Sequence, residues 1–379
     1  MAAPAQRSAD HHLKGLLSGL QAGRRLGNED VRFLLELSDR RLIDQLFKAA
    51  RRLRRDHFGD SVFLYGFVYF ATFCRNDCTF CRYRRSNLAL PRFRKSRDLI
   101  LGTAMRLAEA GVHLVDLTMG EDPQLSEAGS EAGGFLVESV RAIKAATGLP
   151  VMVSPGVVPA ELLDQLVHAG ADWYACYQET HTPSLFARLR PGQSFDERWQ
   201  VKLSAREKGL LIEEGILSMA GENAEDIANS LALMRVLEAD QLRAMTFVPQ
   251  KGTPMASIPA PDKLRELLII AMLRLSFPDC LIPASLDVEG LAGLQSRMDA
   301  GANVVTSLIA PGSGMTGVAS LTRDIENSQR MPSGLRSVLT RCGLKPAGRK
   351  AYSGWMQQRR RIKNASRIRA EALRPAFQP

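Results

Sequence analysis

Short apolar runs alternate with helical stretches along most of the chain. The runs occupy residues 62–70, 113–119, 150–154, 173–177, 210–218, 241–248, 281–286 and 303–309. Segments with helical periodicity lie between them, for instance 96–110, 160–169, 224–237 and 262–275. Apolar runs that alternate with helices predict βα units and a parallel sheet. Eight such units in about 250 residues predict an α/β fold of the (β/α)8 TIM-barrel type.

The regions on either side of this pattern differ from it. Residues 1–25 are rich in Ala, Gly and Arg, and we expect them to be disordered. Residues 26–60 read as an extension of two amphipathic helices, 61–320 as the barrel, 321–358 as a helical segment and 359–379 as a basic tail. A doubly wound sheet is the alternative to the barrel, but no GxGxxG motif follows the first run.

The net charge of +10 belongs to the C-terminal tail and not to the barrel. Eleven basic residues and one acid fall in residues 341–379, whereas the first 340 residues carry 39 charges of each sign. We interpret the tail as a solvated helix face with Arg360, Lys363 and Arg367 on one side. A basic RNA-binding protein is the alternative from a different functional class, although we do not expect specific nucleic-acid binding.

The composition and the lack of long apolar runs indicate the cellular compartment of the protein. The chain is 45% hydrophobic and 24% charged, as globular proteins are. No apolar run approaches the roughly 20 residues that span a bilayer, and the first residues lack the pattern of a signal peptide. We therefore expect a cytoplasmic protein without membrane contact. We also expect a monomer. Six cysteines are too few for a disulfide scaffold, so a cluster of them favours metal binding or catalysis.

The first apolar run leads into such a cluster, in which Cys74, Cys78 and Cys81 have CxxxCxxC spacing. The loop after a barrel strand lies at the catalytic face. Three thiolates can bind three irons of a four-iron cluster, which leaves the fourth iron open to a ligand. Structural zinc would require a fourth ligand, and the nearest histidines, His57 and His113, are 17 and 32 residues away. A pure electron-transfer protein would require a fourth cysteine.

The other cysteines, Cys176, Cys280 and Cys342, are isolated along the chain. The first two lie in or beside apolar runs, where a cysteine behaves as a small hydrophobic residue. We therefore expect them to be packed in the core.

The CxxxCxxC spacing, with the aromatic Phe80 before the third cysteine, resembles the radical S-adenosylmethionine (SAM) superfamily. The resemblance implies a [4Fe–4S] cluster whose open iron binds the amino and carboxyl groups of SAM. One electron then cleaves SAM to methionine and a 5′-deoxyadenosyl radical, which takes a hydrogen atom from the substrate. It also implies a one-electron donor such as a flavodoxin or a ferredoxin.

Three further residues resemble SAM contacts of this superfamily. Glu121 ends the sequence Met-Gly-Glu after the second run, in the place of a GGE-like motif. Glu179 and Arg198 resemble the SAM-contacting pair of the biotin-synthase and HydE-type branch. A carboxylate accepts from ammonium or hydroxyl groups and a guanidinium binds a carboxylate, so the chemistry fits. A surface ion pair is the alternative for Glu179 and for Arg198.

Three segments, HLVDLTMGEDP, QLRAMTFVPQKGTPM and LIPASLDVEGLAGLQSRMDAGANVVTSLIAPGSG, resemble the methylornithine synthases of pyrrolysine biosynthesis. The resemblance extends over about residues 26–355 and implies isomerisation of L-lysine to (3R)-3-methyl-D-ornithine. A lysine radical would fragment, and the fragments would recombine. The substrate-contacting positions of that family match Asp116, Arg243, Ser285 and Asp287, with Ser154 as a weaker match.

The residues themselves agree with a charged substrate. Asp116, Arg243 and Asp287 lie in or at the ends of the second, sixth and seventh runs, and therefore at the mouth of the predicted barrel. Two acids and one base complement the two ammonium groups and the carboxylate of lysine, and buried charges require partners. Internal pairing of Arg243 with either aspartate is the alternative. Another enzyme of the same branch, acting on a small amino-acid-like substrate, is the alternative function, although sulfur insertion would require further barrel cysteines.

Overall fold

Eight parallel strands form a ring in the computed structural model, which describes residues 4–126, 133–259, 262–313 and 329–373. The strands are β1 (Ser61–Ala71), β2 (Leu114–Met119), β3 (Val151–Ser154), β4 (Trp173–Ala175), β5 (Leu211–Ser218), β6 (Gln241–Thr246), β7 (Pro283–Ser285) and β8 (Val304–Leu308). Their spatial order is β6-β5-β4-β3-β2-β1-β8-β7, and a parallel bridge between Gln241 and Leu281 joins the two ends. This closed order confirms the barrel and excludes the doubly wound sheet.

Helices precede, surround and follow the ring. They are α1 (Pro4–Gln21), α2 (Asn28–Leu35), α3 (Arg40–Phe58), α4 (Arg97–Glu109), α5 (Pro123–Ser126), α6 (Gly133–Thr147), α7 (Ala160–His168), α8 (Pro183–Leu189), α9 (Phe195–Glu207), α10 (Ala224–Val236), α11 (Lys263–Ser276), α12 (Leu294–Asp299), α13 (Pro332–Arg341) and α14 (Arg349–Leu373). A two-residue strand, β9 (Lys345–Pro346), pairs with the start of β1.

Local sequence determines where these helices begin. The side chain of Asp262 accepts the Leu264 N–H at 2.9 Å and caps α11. Asn223 and Asp226 form a reciprocal capping box at α10. The helix α11 then buries Ile269 and Leu273 completely, and burial of each such side chain contributes roughly 1.5–3 kcal/mol. The helices are thereby fixed against the outside of the barrel.

The first helix corrects the expectation that residues 1–25 are disordered. Residues 4–21 form α1, which buries Leu13 and Leu16. The Gln45 amide of α3 donates to the Asp10 carboxylate at 2.9 Å and joins the two helices. The apolar residues of α1 recur at helical spacing, and this pattern outweighs the Ala, Gly and Arg content on which the expectation rested.

The last helix, α14, closes the end of the barrel at which the strands begin. Tyr352 and Met356 are buried in the apolar cluster inside that end. The hydroxyls of Tyr352 and Tyr65 are 2.8 Å apart, and the Trp355 ring stacks on Trp173 with centroids 5.9 Å apart. The segment thus forms the floor of the barrel.

Basic side chains of α14 pair with carboxylates that precede strands. Arg359 donates to Asp240 at 2.9 Å and to Asp279 at 2.5 Å. Lys363 donates to Asp240 at 2.5 Å, and Arg360 to Asp172 at 2.9 Å. The expectation of a solvated tail is therefore wrong for Arg359, Arg360 and Lys363, because carboxylates distant in the sequence neutralise them. The side chain of Arg367 lies outside the described residues.

Replacing Arg359 by methionine is expected to lower the free energy of unfolding by about 1–3 kcal/mol. The change leaves the fully buried Asp240 carboxylate with one cation fewer. The matched control is Arg361→Met, which removes the same charge from an exposed position on the same helix. Thermal melting of both variants is the measurement, and equal melting temperatures would contradict the role assigned to Arg359.

Parts of two predicted segments lie outside the described residues. The boundary predicted at residue 320 falls within residues 314–328, which are not described, and residues 374–379 of the predicted basic tail are not described either. Among the helices of the described ranges, none has the length and apolar composition that crossing a membrane requires.

Candidate active site

Two adjoining cavities occupy the end of the barrel at which the strands finish. The larger has about 1100 Å³ of empty space, including its part open to solvent, and contains Asp116, Arg243 and Asp287 in its lining. The smaller has about 760 Å³ by the same measure and is lined by the three clustered cysteines. Both cavities share Tyr69, Phe80, Thr118, Ser154, Tyr177 and Glu179. A ligand in one cavity would therefore lie directly beside a ligand in the other.

The cysteine loop has a fixed shape because its backbone bonds to neighbouring loops. The Arg75 N–H donates to the Glu121 carbonyl and the Thr79 N–H to the Leu189 carbonyl, both at 2.9 Å. Burial raises the pKa of the Cys74 and Cys81 thiols above the ordinary range.

Glu121 and Arg198 form a buried ion pair. Burial alone would raise the pKa of Glu121, but the Arg198 guanidinium lowers it below the ordinary value. Arg75 adds a weaker contact, with its Nε 3.3 Å from Glu121. The sequence predicts that Arg198 and Glu179 both contact SAM, and the structure adds that each has its own ion-pair partner, which for Arg198 is Glu121.

Glu179 pairs instead with Arg190, a residue that sequence reasoning missed. Arg190 Nη2 donates to Glu179 at 2.5 Å, and Nη1 lies 3.3 Å from the Cys78 sulfur. Burial raises the pKa of Glu179, and Arg190 opposes this effect only in part. Glu179 adopts a φ of 67°, which a residue with a side chain rarely does. Such strain concentrates at binding sites, and here it lies four residues after the end of β4.

A fully buried ion pair outside the ring fixes the elements that carry these residues. Lys202, one helical turn after Arg198 on α9, pairs with Glu214 of β5 and donates to the Gln178 amide oxygen at 2.9 Å. Glu214 also accepts the Gln178 backbone N–H at 2.8 Å. The helix carrying Arg198 and the segment carrying Glu179 therefore share one anchor.

At two glycines in this region, a side chain would collide with neighbouring atoms. A Cβ at Gly120 would lie 2.3 Å from the Phe73 carbonyl oxygen. A Cβ at Gly156, where φ is 80°, would lie 1.9 Å from the Glu121 side chain. The glycine of the Met-Gly-Glu sequence thus allows the cysteine loop to approach β2 closely.

The donor set of the smaller cavity fits a [4Fe–4S] cluster together with SAM. Three thiols from one loop line it, and the family chemistry requires three iron ligands. Buried Glu179 Oε2, Arg190 Nε and Arg198 Nε make no hydrogen bond within the described residues. An unpaired carboxylate oxygen accepts from ammonium or hydroxyl groups, and unpaired guanidinium N–H groups donate to a carboxylate. Buried polar atoms normally have partners, so these atoms point to a ligand.

In the larger cavity, Arg243 pairs with neither aspartate that the sequence suggested. Its Nε and Nη2 lie 2.8 and 2.7 Å from Glu213, which sequence reasoning missed, and its Nη1 donates to Thr306 at 3.0 Å. Glu213 is completely buried and also accepts from the Tyr177 hydroxyl at 2.8 Å. Glu213 therefore compensates Arg243 inside the barrel and holds its guanidinium in one orientation.

Asp116 lies in the same cavity without a basic hydrogen-bond partner among the described residues. It accepts from Thr118 at 2.9 Å and from Ser154 at 3.3 Å. Burial and the nearby Glu213 charge raise its pKa to about 7, although Arg243 opposes the shift. A carboxylate in this state favours a cationic ligand, because the ligand would supply the missing positive charge.

Ser285 and Asp287 form the opposite wall. The Ser285 hydroxyl donates to Asp287 Oδ2 at 3.1 Å and lies 3.3 Å from the hydroxyl of Ser307, where φ is 62°. The other oxygen of Asp287 is buried without a hydrogen bond in the described part of the chain. This wall thus presents a second acceptor for an ammonium group.

A further ion pair borders this cavity, formed by Glu266 of α11 and Arg297 of α12. Arg297 Nε and Nη2 lie 2.6 and 2.9 Å from the two oxygens of Glu266. Both side chains line the cavity, and the Thr246 hydroxyl also donates to Glu266. No motif marked this pair in the sequence, because its members lie in ordinary amphipathic helices.

The remaining cysteines are buried or partly buried, but Cys176 does more than fill space. Its sulfur accepts from Arg198 Nη1 at 2.8 Å, and it lines the smaller cavity. Cys280 is buried at the floor of the barrel, 3.1 Å from Arg359. The expectation of core packing thus holds for Cys280 and is incomplete for Cys176.

Known proteins resemble this chain along most of its length. The sequence profile of the Radical SAM superfamily matches residues 68–234. The chain is 43% identical to 3-methylornithine synthase of Methanosarcina acetivorans, over 86% of this chain and 91% of that protein. It is 30% identical to the [FeFe] hydrogenase maturase subunit HydE of Thermotoga maritima, over 74% and 80%. The crystal structure of methylornithine synthase (PylB) is similar with a TM-score of 0.84 and 40% identity, over 90% of this chain and 99% of that one.

Proposed function

Because the chain belongs to the methylornithine synthases within the radical SAM superfamily, we propose that it isomerises L-lysine to (3R)-3-methyl-D-ornithine for pyrrolysine biosynthesis. The observation that carries the proposal is the larger cavity. It places Arg243, Asp116 and Asp287 around one space that adjoins the cysteines. Two acceptors and one cation match the two ammonium groups and the carboxylate of lysine.

Three charged side chains of the larger cavity have distinct parts in the proposal. Arg243, oriented by Glu213, binds the lysine carboxylate. Asp116 and Asp287, with Ser285 and Ser154 beside them, bind the two ammonium groups. Contacts at both ends hold the two halves of the substrate in place, and such positioning lowers the entropic cost of recombination. The apolar wall of the cavity, which includes Phe67, Tyr69, Leu217 and Phe247, excludes water from the reacting carbons.

In this proposal, the smaller cavity would hold the cofactors that the superfamily binds. Cys74, Cys78 and Cys81 would ligate the [4Fe–4S] cluster, and Glu121, Glu179 and Arg198 would bind SAM. When bound, the two cofactors supply the one-electron chemistry that produces the substrate radical. The chain's own residues orient SAM against the lysine beside it. The reaction needs a one-electron reductant, for which we propose a flavodoxin or a ferredoxin.

Anaerobic turnover of the cluster-reconstituted chain with SAM, dithionite and L-lysine tests the function. Lysine and methylornithine are isomers, so the products must be separated by chromatography before mass spectrometry. We expect methylornithine from the natural sequence and from the control Cys342→Ala, which changes a cysteine outside the two cavities. Cys78→Ala is expected to lose both the cluster absorbance and the product. Unchanged lysine, with turnover of another substrate, would reject the proposal.

Replacing Gly156 by alanine is expected to weaken SAM binding at least about tenfold. The added methyl group would displace Glu121 and strain a left-handed backbone position, at a cost of about 1–3 kcal/mol. Equilibrium binding of SAM to the reconstituted chain is the measurement, and the cluster absorbance should not change. Gly102→Ala is the control, because a Cβ there meets nothing within 4 Å. Equal affinity in the two variants would contradict the placement of SAM beside Glu121.

A further inference from the structure

The segment that carries the clustered cysteines is the most basic part of the barrel sequence. Residues 74–97 contain eight basic residues and one acid, Asp77, although the first 340 residues are neutral as a whole. The basic residues are Arg75, Arg82, Arg84, Arg85, Arg92, Arg94, Lys95 and Arg97. We call this segment the cysteine-loop surface. Seven of its eight cations are arginines, the basic residue that protein interfaces favour over lysine.

An apolar side chain protrudes from the middle of this surface. Leu88 is 90% exposed, the largest exposure among the large hydrophobic side chains of the described residues. On the same segment, the side chain of Arg85 is 70% exposed and that of Arg75 is 47% exposed. Arg75, Arg84, Arg85 and Arg94 pair with the carboxylates of Glu121, Asp77 and Asp122, so the positive excess of this surface is smaller than the sequence count but does not vanish. An exposed apolar residue on a charged segment has the composition of a protein interface, in which an apolar centre is accompanied by a polar rim.

Leu88 is held on a rigid turn. Arg92 donates to the carbonyls of Arg84 and Asn87 at 2.6 and 3.1 Å, and also to those of Thr72 and Tyr83. The Asn87 amide donates to the Lys251 carbonyl at 3.2 Å. The exposure of Leu88 is therefore a property of a fixed surface, and an ordered apolar contact costs less entropy on binding than a mobile one.

The same turn bonds directly to the two residues after the first cysteine, through one backbone carbonyl and one side chain. The Arg85 N–H donates to the Asn76 carbonyl at 2.8 Å, and the Ser86 N–H to Asp77 Oδ1 at 2.9 Å. Cys74 and Cys81 are themselves only partly buried. A protein bound over Leu88 would thus sit against the loop that ligates the cluster.

We propose that the cysteine-loop surface docks an acidic one-electron donor protein, with Leu88 as the apolar contact and the arginines around it as the electrostatic guide. The proposal rests on the proposed function. One electron leaves the reduced donor, which is oxidised by one electron, and the cluster is reduced by one electron. No bond forms or breaks in the transfer.

Charge favours this occupant over others. Opposite charge on the partner speeds association and makes it sensitive to salt, as a transient redox contact requires. A second copy of the chain would bring like charges together at this surface. RNA would be attracted to the arginines, but the protruding leucine offers it no stacking surface.

Binding and turnover with a flavodoxin as the probe test the proposal. The variants are Leu88→Asp and Arg85→Gln in the cluster-reconstituted chain. We expect each to weaken the affinity for flavodoxin at least about tenfold in low salt, measured by calorimetry. Flavodoxin-driven formation of methylornithine should fall similarly at limiting donor, whereas dithionite-driven formation should not change. High salt should weaken binding of the natural sequence and reduce the difference between it and Arg85→Gln.

Val236→Asp is the matched control, since it adds the same charge at a 61% exposed apolar position at the end of α10. It should leave both affinity and turnover unchanged. Unchanged flavodoxin affinity in Leu88→Asp and Arg85→Gln would overturn the proposal. It would also be overturned if these substitutions left flavodoxin binding intact and instead removed binding of RNA or self-association of the chain. Loss of dithionite-driven turnover would overturn it too, because the substitutions would then act on the site itself. Failure of the natural sequence to form methylornithine with dithionite would reject the proposed function, while the affinities would still test the surface.

Discussion

Replacing Asp116 by asparagine is expected to lower kcat/KM for lysine by about 100- to 1000-fold while making the protein more resistant to heat. The loss of activity follows because an amide cannot neutralise an ammonium group, and removal of one member of a buried charge pair costs about 3–4 kcal/mol. The gain in stability follows because the carboxylate is buried near Glu213 without a basic hydrogen-bond partner in the described residues. Asparagine keeps the shape and removes that charge.

The raised pKa of Asp116 determines how the stability difference between the variant and the natural sequence changes with pH. The folded protein raises the pKa of Asp116 from 3.8 to about 7, so folding favours the protonated form. The ionised carboxylate therefore destabilises the fold increasingly as the pH rises from about 4 to 7, with a constant cost above pH 7. The variant should exceed the natural sequence in melting temperature most at pH 8 and hardly at all near pH 4. Lysine binding by the natural sequence should weaken as the pH falls below 7.

Kinetics and thermal melting across this pH range test both halves. Ser154→Ala is the comparison, because it removes only one hydrogen bond to Asp116 and should reduce kcat/KM about tenfold or less. If Asp116→Asn binds lysine with unchanged affinity, the carboxylate does not contact the substrate. If it melts lower than the natural sequence at pH 8, the carboxylate has a compensating partner.

Replacing Arg243 by methionine is expected to abolish detectable turnover and to destabilise the protein by about 3–5 kcal/mol. The substrate loses the partner of its carboxylate. The completely buried Glu213 loses its only cationic hydrogen-bond partner among the described residues and keeps neutral donors from Tyr177 and Gln241. The two effects have different causes and can therefore be separated.

The double variant Glu213→Gln with Arg243→Met separates them. It removes both charges, so the melting temperature should recover most of the loss while lysine binding stays absent. A double-mutant cycle of melting temperatures and lysine affinities is the measurement. Recovery of lysine binding in the double variant would contradict the direct role of Arg243. Failure to recover stability would show that Glu213 is not the partner that matters.

The barrel and the position of its cysteine loop could be predicted because both depend on local sequence. Every apolar run became a strand, and the CxxxCxxC loop follows β1. Glu213 carried a weak signal, since adjacent acids within the apolar run of β5 must face opposite sides of the strand. One of them, Glu213, faces into the barrel toward Arg243, and the other, Glu214, faces Lys202. Sequence spacing could not reveal these partners, which other elements supply.

Pairing was the part of the site that the sequence could not predict. Glu179 and Arg198 were predicted as contacts of SAM, but the sequence did not show that Glu179 bonds to Arg190 and Arg198 to Glu121. All four lie on different loops and helices, and their distances depend on how α8 and α9 pack. The interpretation of the tail as solvated was wrong for the same reason. Its positive charge was plain, but Asp172, Asp240 and Asp279 are separated from it by more than 70 residues.

The floor formed by α14 has a consequence for the order of folding during synthesis. Asp172, Asp240 and Asp279 leave the ribosome before the cations that neutralise them, because α14 follows every barrel strand along the chain. Until then, Asp240 lacks both cations that pair with it, Asp172 has only Lys144, and the apolar cluster at the base of the barrel is uncovered. Such a nascent barrel is open at its base and prone to association. Its final closure therefore awaits translation of α14.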